Sequence, residues 1–213
     1  MQEVHSWHAE ALGKQAAASL VKNGFTAEYF DNREHLIKAV EALFVPGMSI
    51  GCGGSMTIRE LGILDRARDR GCTILDHNAP GIDADTRMNI LRQQLTSDLF
   101  ISSTNALTLD GELVNVDGNG NRVAALSFGP KKVLVIAGIN KIVSTLDDAL
   151  ARIELTASPK NNKRLNKPNP CTKSGYCMDC DAETRICRIY SILKRKPAAS
   201  DFTVFIVGEV LGF

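Results

Sequence analysis

Four of the chain's six cysteines, Cys171, Cys177, Cys180 and Cys187, are spaced C-x5-C-x2-C-x6-C within PNPCTKSGYCMDCDAETRIC. Thiolates so close along a chain can converge on one metal centre. The spacing alone admits three states: an iron–sulfur centre such as a 4Fe–4S cluster, a tetrahedral zinc site with four thiolate ligands, or reduced thiols without metal. Arg185, Arg188, Lys194, Arg195 and Lys196 follow and could offset the negative charge of a four-thiolate centre. The remaining thiols read as core. Cys52 sits in a glycine turn with no adjacent histidine to act as base, and Cys72 opens an apolar strand.

A second group of residues has the chemistry of an anion site. Gly53, Gly54, Ser55 and Thr57 follow a short apolar run and precede a helical pattern. Glycines let a ligand approach the backbone, and the free N–H groups of a helix start favour negative charge. The turn is neither a Walker loop nor a G-x-G-x-x-G fingerprint, so no nicotinamide cofactor is expected. A plain β–α turn with Ser55 or Thr57 as cap fits the same residues, and Thr57-x-x-Glu60 has the form of a capping box. Downstream, Asn105, Asn115, Asp117 and Asn121 can each bond a substrate, although short polar residues also favour turns. Lys141 follows Gly138-Ile139-Asn140 at a strand end, where a cation could neutralise an anion. His77 also follows a strand end.

The elements that position these groups alternate. Helical periodicity runs from Glu3 to about Val21, from Asn32 to Leu43, from the glycine turn to about Arg70, and from Asp83 to Leu95. Strands are expected at FTAEYF, MSIGC, CTILD and DLFISS. This βαβα order predicts a Rossmann-like, mostly parallel sheet flanked by helices. ALTLDGELVNVDG, with Asp110-Gly111 between two short runs, predicts a hairpin. KKVLVIAG reads as a strand buried on both faces, and Leu146 to Leu155 as helix. Ser158–Pro170 is rich in Lys, Asn and Pro and reads as a connector. The cysteines come next, then a helix from Glu183 to Lys194. A last strand at Phe202–Val207 is expected to return to the main sheet. Residues 1–213 are thus read as a single domain, with 160–196 a Cys-rich excursion and 202–213 the returning segment. Carboxyl ends of strands in such a sheet are where ligands gather. The glycine turn, Asn105 and Asn140-Lys141 all fall there, which points to one shared pocket.

Composition narrows the class. A chain of 213 residues with 44% hydrophobic and 23% charged content supports one sizeable core. The net charge of +1 gives no electrostatic case for nucleic acid or a membrane surface. No apolar run has membrane-spanning length. The N-terminus lacks a signal-peptide core, so a cytoplasmic location with reduced thiols is expected. Trp7, the only tryptophan, is expected to pack the first helix onto a neighbouring element or onto a partner subunit in a homodimer.

The segments GCGGSMTIRELGIL, STNALTLDGELVNVDGNGNRVAALSFGPKKVLVIAGINKIV and VFIVGEVLGF resemble the LUD domain, the lactate-utilisation family, over nearly the whole chain. The resemblance implies the sheet of sugar-phosphate isomerases and CoA transferases, with a β-hairpin region and the Cys-rich excursion. It also implies an association with iron–sulfur oxidoreductase systems for lactate or a related small carboxylate, which places the iron–sulfur state ahead of zinc. It does not extend to thioester chemistry: Thr104-Asn105-Ala106-Leu107 stands where CoA transferases carry a glutamate. A second functional class fits the same residues, a non-catalytic metabolite- or partner-binding protein with structural zinc.

Overall fold

The computed structural model describes residues 2–213. The described residues build a six-stranded parallel sheet and a smaller four-stranded sheet. The chain opens with α1 (Gln2–Lys22), β1 (Thr26–Phe30), α2 (Arg33–Glu41) and β2 (Ser49–Cys52). It continues through α3 (Met56–Glu60), α4 (Ile63–Asp69), β3 (Thr73–Leu75), α5 (Ala84–Gln93) and β4 (Leu99–Ser102). The predicted hairpin is β5 (Ala106–Thr108) with β6 (Leu113–Asp117), paired antiparallel. Then follow α6 (Asn121–Ser127), β7 (Lys132–Gly138), β8 (Ile142–Val143), α7 (Leu146–Arg152), α8 (Ser158–Arg164) and the single turn α9 (Cys171–Ser174). The last strands are β9 (Ile189–Leu193) and β10 (Asp201–Val207).

The large sheet has the order β1-β10-β7-β4-β2-β3, so the last strand fills an interior place between the edge strand β1 and β7. Alternation along β7 explains the layers. Leu134 and Ile136 pack with Leu36, Val40, Ile58 and Ile63 of the helices α2, α3 and α4. Val133 and Val135 pack on the other face with Leu20 of α1, Leu126 of α6, and Leu107 and Leu113 of the hairpin. The second sheet, ordered β8-β5-β6-β9, thus lies on the large one. Its outer residues Ala106, Val114 and Val116 pack on Ala149, Ile153 and Cys187.

Several expectations are corrected. The helix after the glycine turn is two helices, because Gly62 takes a left-handed φ of 64° between them. Its cap is Ser55, whose oxygen accepts from Ile58 N–H; Thr57 is inside the helix, so Thr57-x-x-Glu60 is no capping box. Glu60 instead accepts from Gly212 N–H at 2.9 Å. Residues 158–170 are not a connector. The chain passes from α7 through a π turn (Ile153–Ala157) into α8, with Ser158, Asn162 and Asn169 buried. No helix spans 183–194; β9 is there and pairs antiparallel with β6, Ile189 opposite Asp117 and Leu193 opposite Leu113. Trp7 is exposed rather than packed on a neighbouring element. No helix among the described residues is long and apolar enough to cross a membrane.

Candidate functional site

β2 leads through α3 and α4 to one side of the large sheet, while β4 leads away into the second sheet. Such a divergence leaves a crevice at the carboxyl ends of the two strands. A cavity of about 460 Å3 opens there. Its wall brings together Gly54, Ser55, Thr57, Asn105, Asp117, Asn121 and Lys141, all expected from the sequence. Gly53 lies just behind that wall: a Cβ on it would stand 3.0 Å from Ser102 Oγ and 3.1 Å from Arg122 Cδ. Asn115 is fully buried and also sits behind, accepting from Arg122 Nη1 at 2.5 Å.

The cavity carries five cations that contribute to its wall: Arg87, Arg122, Lys141, Arg164 and Lys167. Among the described residues none of the five forms an ion pair with a carboxylate. Asp117 is the one acidic side chain on the wall among those residues, and its carboxylate is taken up by backbone. Asp117 Oδ1 accepts from Gly118 N–H, and Oδ2 accepts from Arg122 N–H at 3.0 Å and Val123 N–H at 3.2 Å. It therefore caps the start of α6, a position that favours negative charge. Arg122 is fixed by donating to Asn105 Oδ1 at 2.8 Å, Val116 O at 2.7 Å and Ser103 O at 3.3 Å, as well as to Asn115. All these acceptors are neutral, so its charge is oriented but not cancelled.

Lys141 is the most buried cation of the wall, 4% exposed. Its Nζ donates to Ser103 Oγ at 2.9 Å and Thr104 O at 3.1 Å. Burial, followed by the Arg152 and Arg122 charges, brings its ammonium down to about 7. His77 is buried between Gln94, whose Nε2 is 2.9 Å from His77 Nδ1, and Asn78; burial lowers its pKa, which favours the neutral ring.

The four cysteines line a second, small void of about 10 Å3, together with Ser158, Asn162, Asn169 and Arg185. Asp179, at a left-handed φ of 44°, turns the chain between Cys177 and Cys180, and its N–H donates to Cys177 Sγ at 3.4 Å. Arg185 donates to Cys180 O at 2.6 Å and Cys187 O at 2.8 Å, and pairs with Asp179 at 2.8 Å. Asn169 donates to Asn162 Oδ1 at 2.6 Å and Thr184 O at 3.1 Å, closing the segment onto α8. Burial raises the pKa of Cys171, with neighbouring thiols adding to it, and burial raises that of Cys187 against a lowering contact from the Ser158 hydroxyl. Among the described residues no group of three or more His, Cys, Asp or Glu side chains stands ready to hold a metal ion. The four cysteines line one void, a backbone N–H donates to Cys177 Sγ, and the Arg185 guanidinium donates to the Cys180 carbonyl. The two cavities adjoin. Ser158, Ile186 and Cys187 line both.

Sequence reasoning missed Arg87, Arg122, Arg164 and Lys167. Arg122 ends the Asn/Gly/Asp run that drew attention and could have been included on that ground. The other three come from α5, α8 and the turn after α8, which no local pattern ties to the cleft. Cys52 is buried and its thiol is pushed up to about 12, as a core residue should be.

A family model for the LUD domain matches residues 13–207. Among solved structures, the chain is similar to a DUF162 family protein from Deinococcus radiodurans, with a TM-score of 0.52 at 12% sequence identity. That match covers 93% of this chain and 97% of the other, and it bears on the fold. No curated protein matches the chain.

Proposed function

The chain belongs to the LUD domain family, and we propose that it binds a small anionic metabolite, lactate or a related carboxylate, as a component of an iron–sulfur oxidoreductase system. One observation carries this reading: five cations on the wall of a single cleft have no carboxylate partner among the described residues. Uncompensated positive charge at a half-enclosed site is costly unless a ligand supplies the counter-charge. Arg122 and Lys141 would hold the carboxylate, and Asn105 and Asp117 keep the Arg122 side chain and the α6 start in place.

Cys171, Cys177, Cys180 and Cys187 would hold the iron–sulfur centre, which when bound would supply a one-electron relay. The shared wall of Ser158, Ile186 and Cys187 supports a role for that centre next to the ligand. Calorimetry with lactate, pyruvate and phosphate tests the cleft. Binding by at least one of them is expected, with a loss of about tenfold in Arg122→Gln, which keeps the polar side chain but not the charge. Silence from all three anions ends the reading. Iron content and the visible spectrum of anaerobically purified protein test the sulfur site. A colourless protein with one zinc would turn the cysteine segment into a structural element.

A further inference from the structure

Beyond anion binding, the geometry points to Lys141 as an amine nucleophile that forms a Schiff base with a 2-oxo acid held in the cleft. The inference rests on the anion-binding reading of that cleft and adds both the reacting atom and the substrate class.

The placement of Nζ supports it. A lysine amine carries three positions besides its carbon. Two of those at Lys141 are taken by neutral oxygens, Ser103 Oγ and Thr104 O, and among the described residues the third has no partner. Lys141 lines the cavity, so that position is available to a ligand there. No carboxylate forms an ion pair with it among the described residues. The charged groups that act on it are Arg152 and Arg122, which disfavour its proton, and Glu60, whose opposing effect is the smallest. Arg152 is fixed by donating to Asn140 O and Asn105 O, and Arg122 by the four acceptors already described. Neither can swing away. Burial and these two charges bring the ammonium to about 7, where a substantial share is free amine at neutral pH.

The step balances without a redox partner. The Nζ lone pair attacks the C2 carbonyl carbon of the 2-oxo acid, forming a C–N bond, and the carbonyl oxygen takes a proton that Nζ releases. The resulting carbinolamine takes one proton from solvent, loses its hydroxyl as water and leaves a protonated C=N bond. Ser103 Oγ, already hydrogen-bonded to Nζ, is placed to pass the proton. The Arg122 charge, which no carboxylate pairs among the described residues, would attract the substrate carboxylate. Lactate, lacking a carbonyl, would bind without reacting.

Pyruvate is added to the native protein at about pH 8 with sodium cyanoborohydride, and the adduct is located by peptide mapping. An exposed lysine, with its ordinary pKa near 10.4, offers on the order of a hundredfold less free amine at that pH. Reduced adduct concentrated at Lys141 is expected, and it should be absent when lactate replaces pyruvate. Lys141→Arg should lose the adduct; mapping the unaltered protein needs no variant, so a failure of that variant to fold does not blunt the test. Pyruvate that binds by calorimetry yet gives no adduct at Lys141, or adduct spread evenly over surface lysines, overturns the Schiff-base assignment and leaves anion binding standing. Absence of binding by pyruvate, lactate and phosphate alike overturns both.

Discussion

The large sheet and the cysteine segment are held together by different forces. Along β4, β7 and β10 nearly every side chain is buried, and neighbouring residues feed opposite apolar layers. Between Cys171 and Arg188 the only regular structure is one turn of helix, and most residues are exposed or half-buried. That stretch is tied down by polar contacts from Asn169, Arg185 and Arg188 to backbone carbonyls. Area buried from water stabilises the first region whatever the solution holds. The second gains little from burial, so its order depends on individual hydrogen bonds. Proteins often separate a rigid scaffold from a more labile functional segment in this way.

The sharpest way to break the contrast is to damage the scaffold. Phe202 is fully buried on the interior strand β10 and meets Phe25 edge-on at 5.1 Å. Phe202→Ala should cost about 3–5 kcal/mol in chemical denaturation and unfold both regions together. Asn169→Ala removes two donated bonds and strands the Asn162 and Thr184 oxygens, a local cost of about 2 kcal/mol. Hydrogen exchange should accelerate across residues 171–188 and stay unchanged in β7 and β10. Equal acceleration in the sheet would mean that the two regions are one cooperative unit.

The pH response sharpens the comparison from the cleft side. The folded Lys141 ammonium lies at about 7, below its unfolded value. Between those two values the unfolded chain binds more protons, so this residue makes stability rise as pH rises. Below the folded value its destabilisation is fully present. A gain of about 1–2 kcal/mol between neutral pH and pH ~9 is expected, and Lys141→Met should flatten it. A bound anion should pull a proton onto the amine and shrink the slope, which calorimetry in buffers of different ionisation heat would read. The smallest effect is chemical. In folded protein treated with a chelator, iodoacetamide should label half-exposed Cys177 and Cys180 and spare Cys52, buried with its thiol at about 12. Early labelling of Cys52 would mean that the glycine turn opens.

Much of the scaffold was legible because its strands are continuous apolar runs between helical stretches, and burial on both faces demands that composition. The misreadings have local causes. Ile186, Ile189, Tyr190 and Leu193 recur at helical spacing, yet the open edge of β6 takes that stretch as β9. Residues 158–170 look like a linker by composition, but Ser158, Asn162 and Asn169 are buried polar groups that face inward. Of the cleft, the residues at strand ends were found because topology puts strand ends together. Arg87, Arg164 and Lys167 were not, because surface arginines and lysines carry no local mark of where they point. The four thiols announced themselves by spacing, and the structure gathers them at one void.

The interior position of β10 bears on how the molecule is made. β1 finds its partner only in β10, which is also the neighbour of β7 on that side. A nascent chain that has emerged as far as the cysteines therefore holds β1 apart from the rest of the sheet, with a gap that nothing yet synthesised can fill. Closing it requires contacts between residues nearly the whole chain apart, a slow kind of assembly. By then the thiols are already outside the ribosome, exposed before the scaffold that is to shelter them is complete.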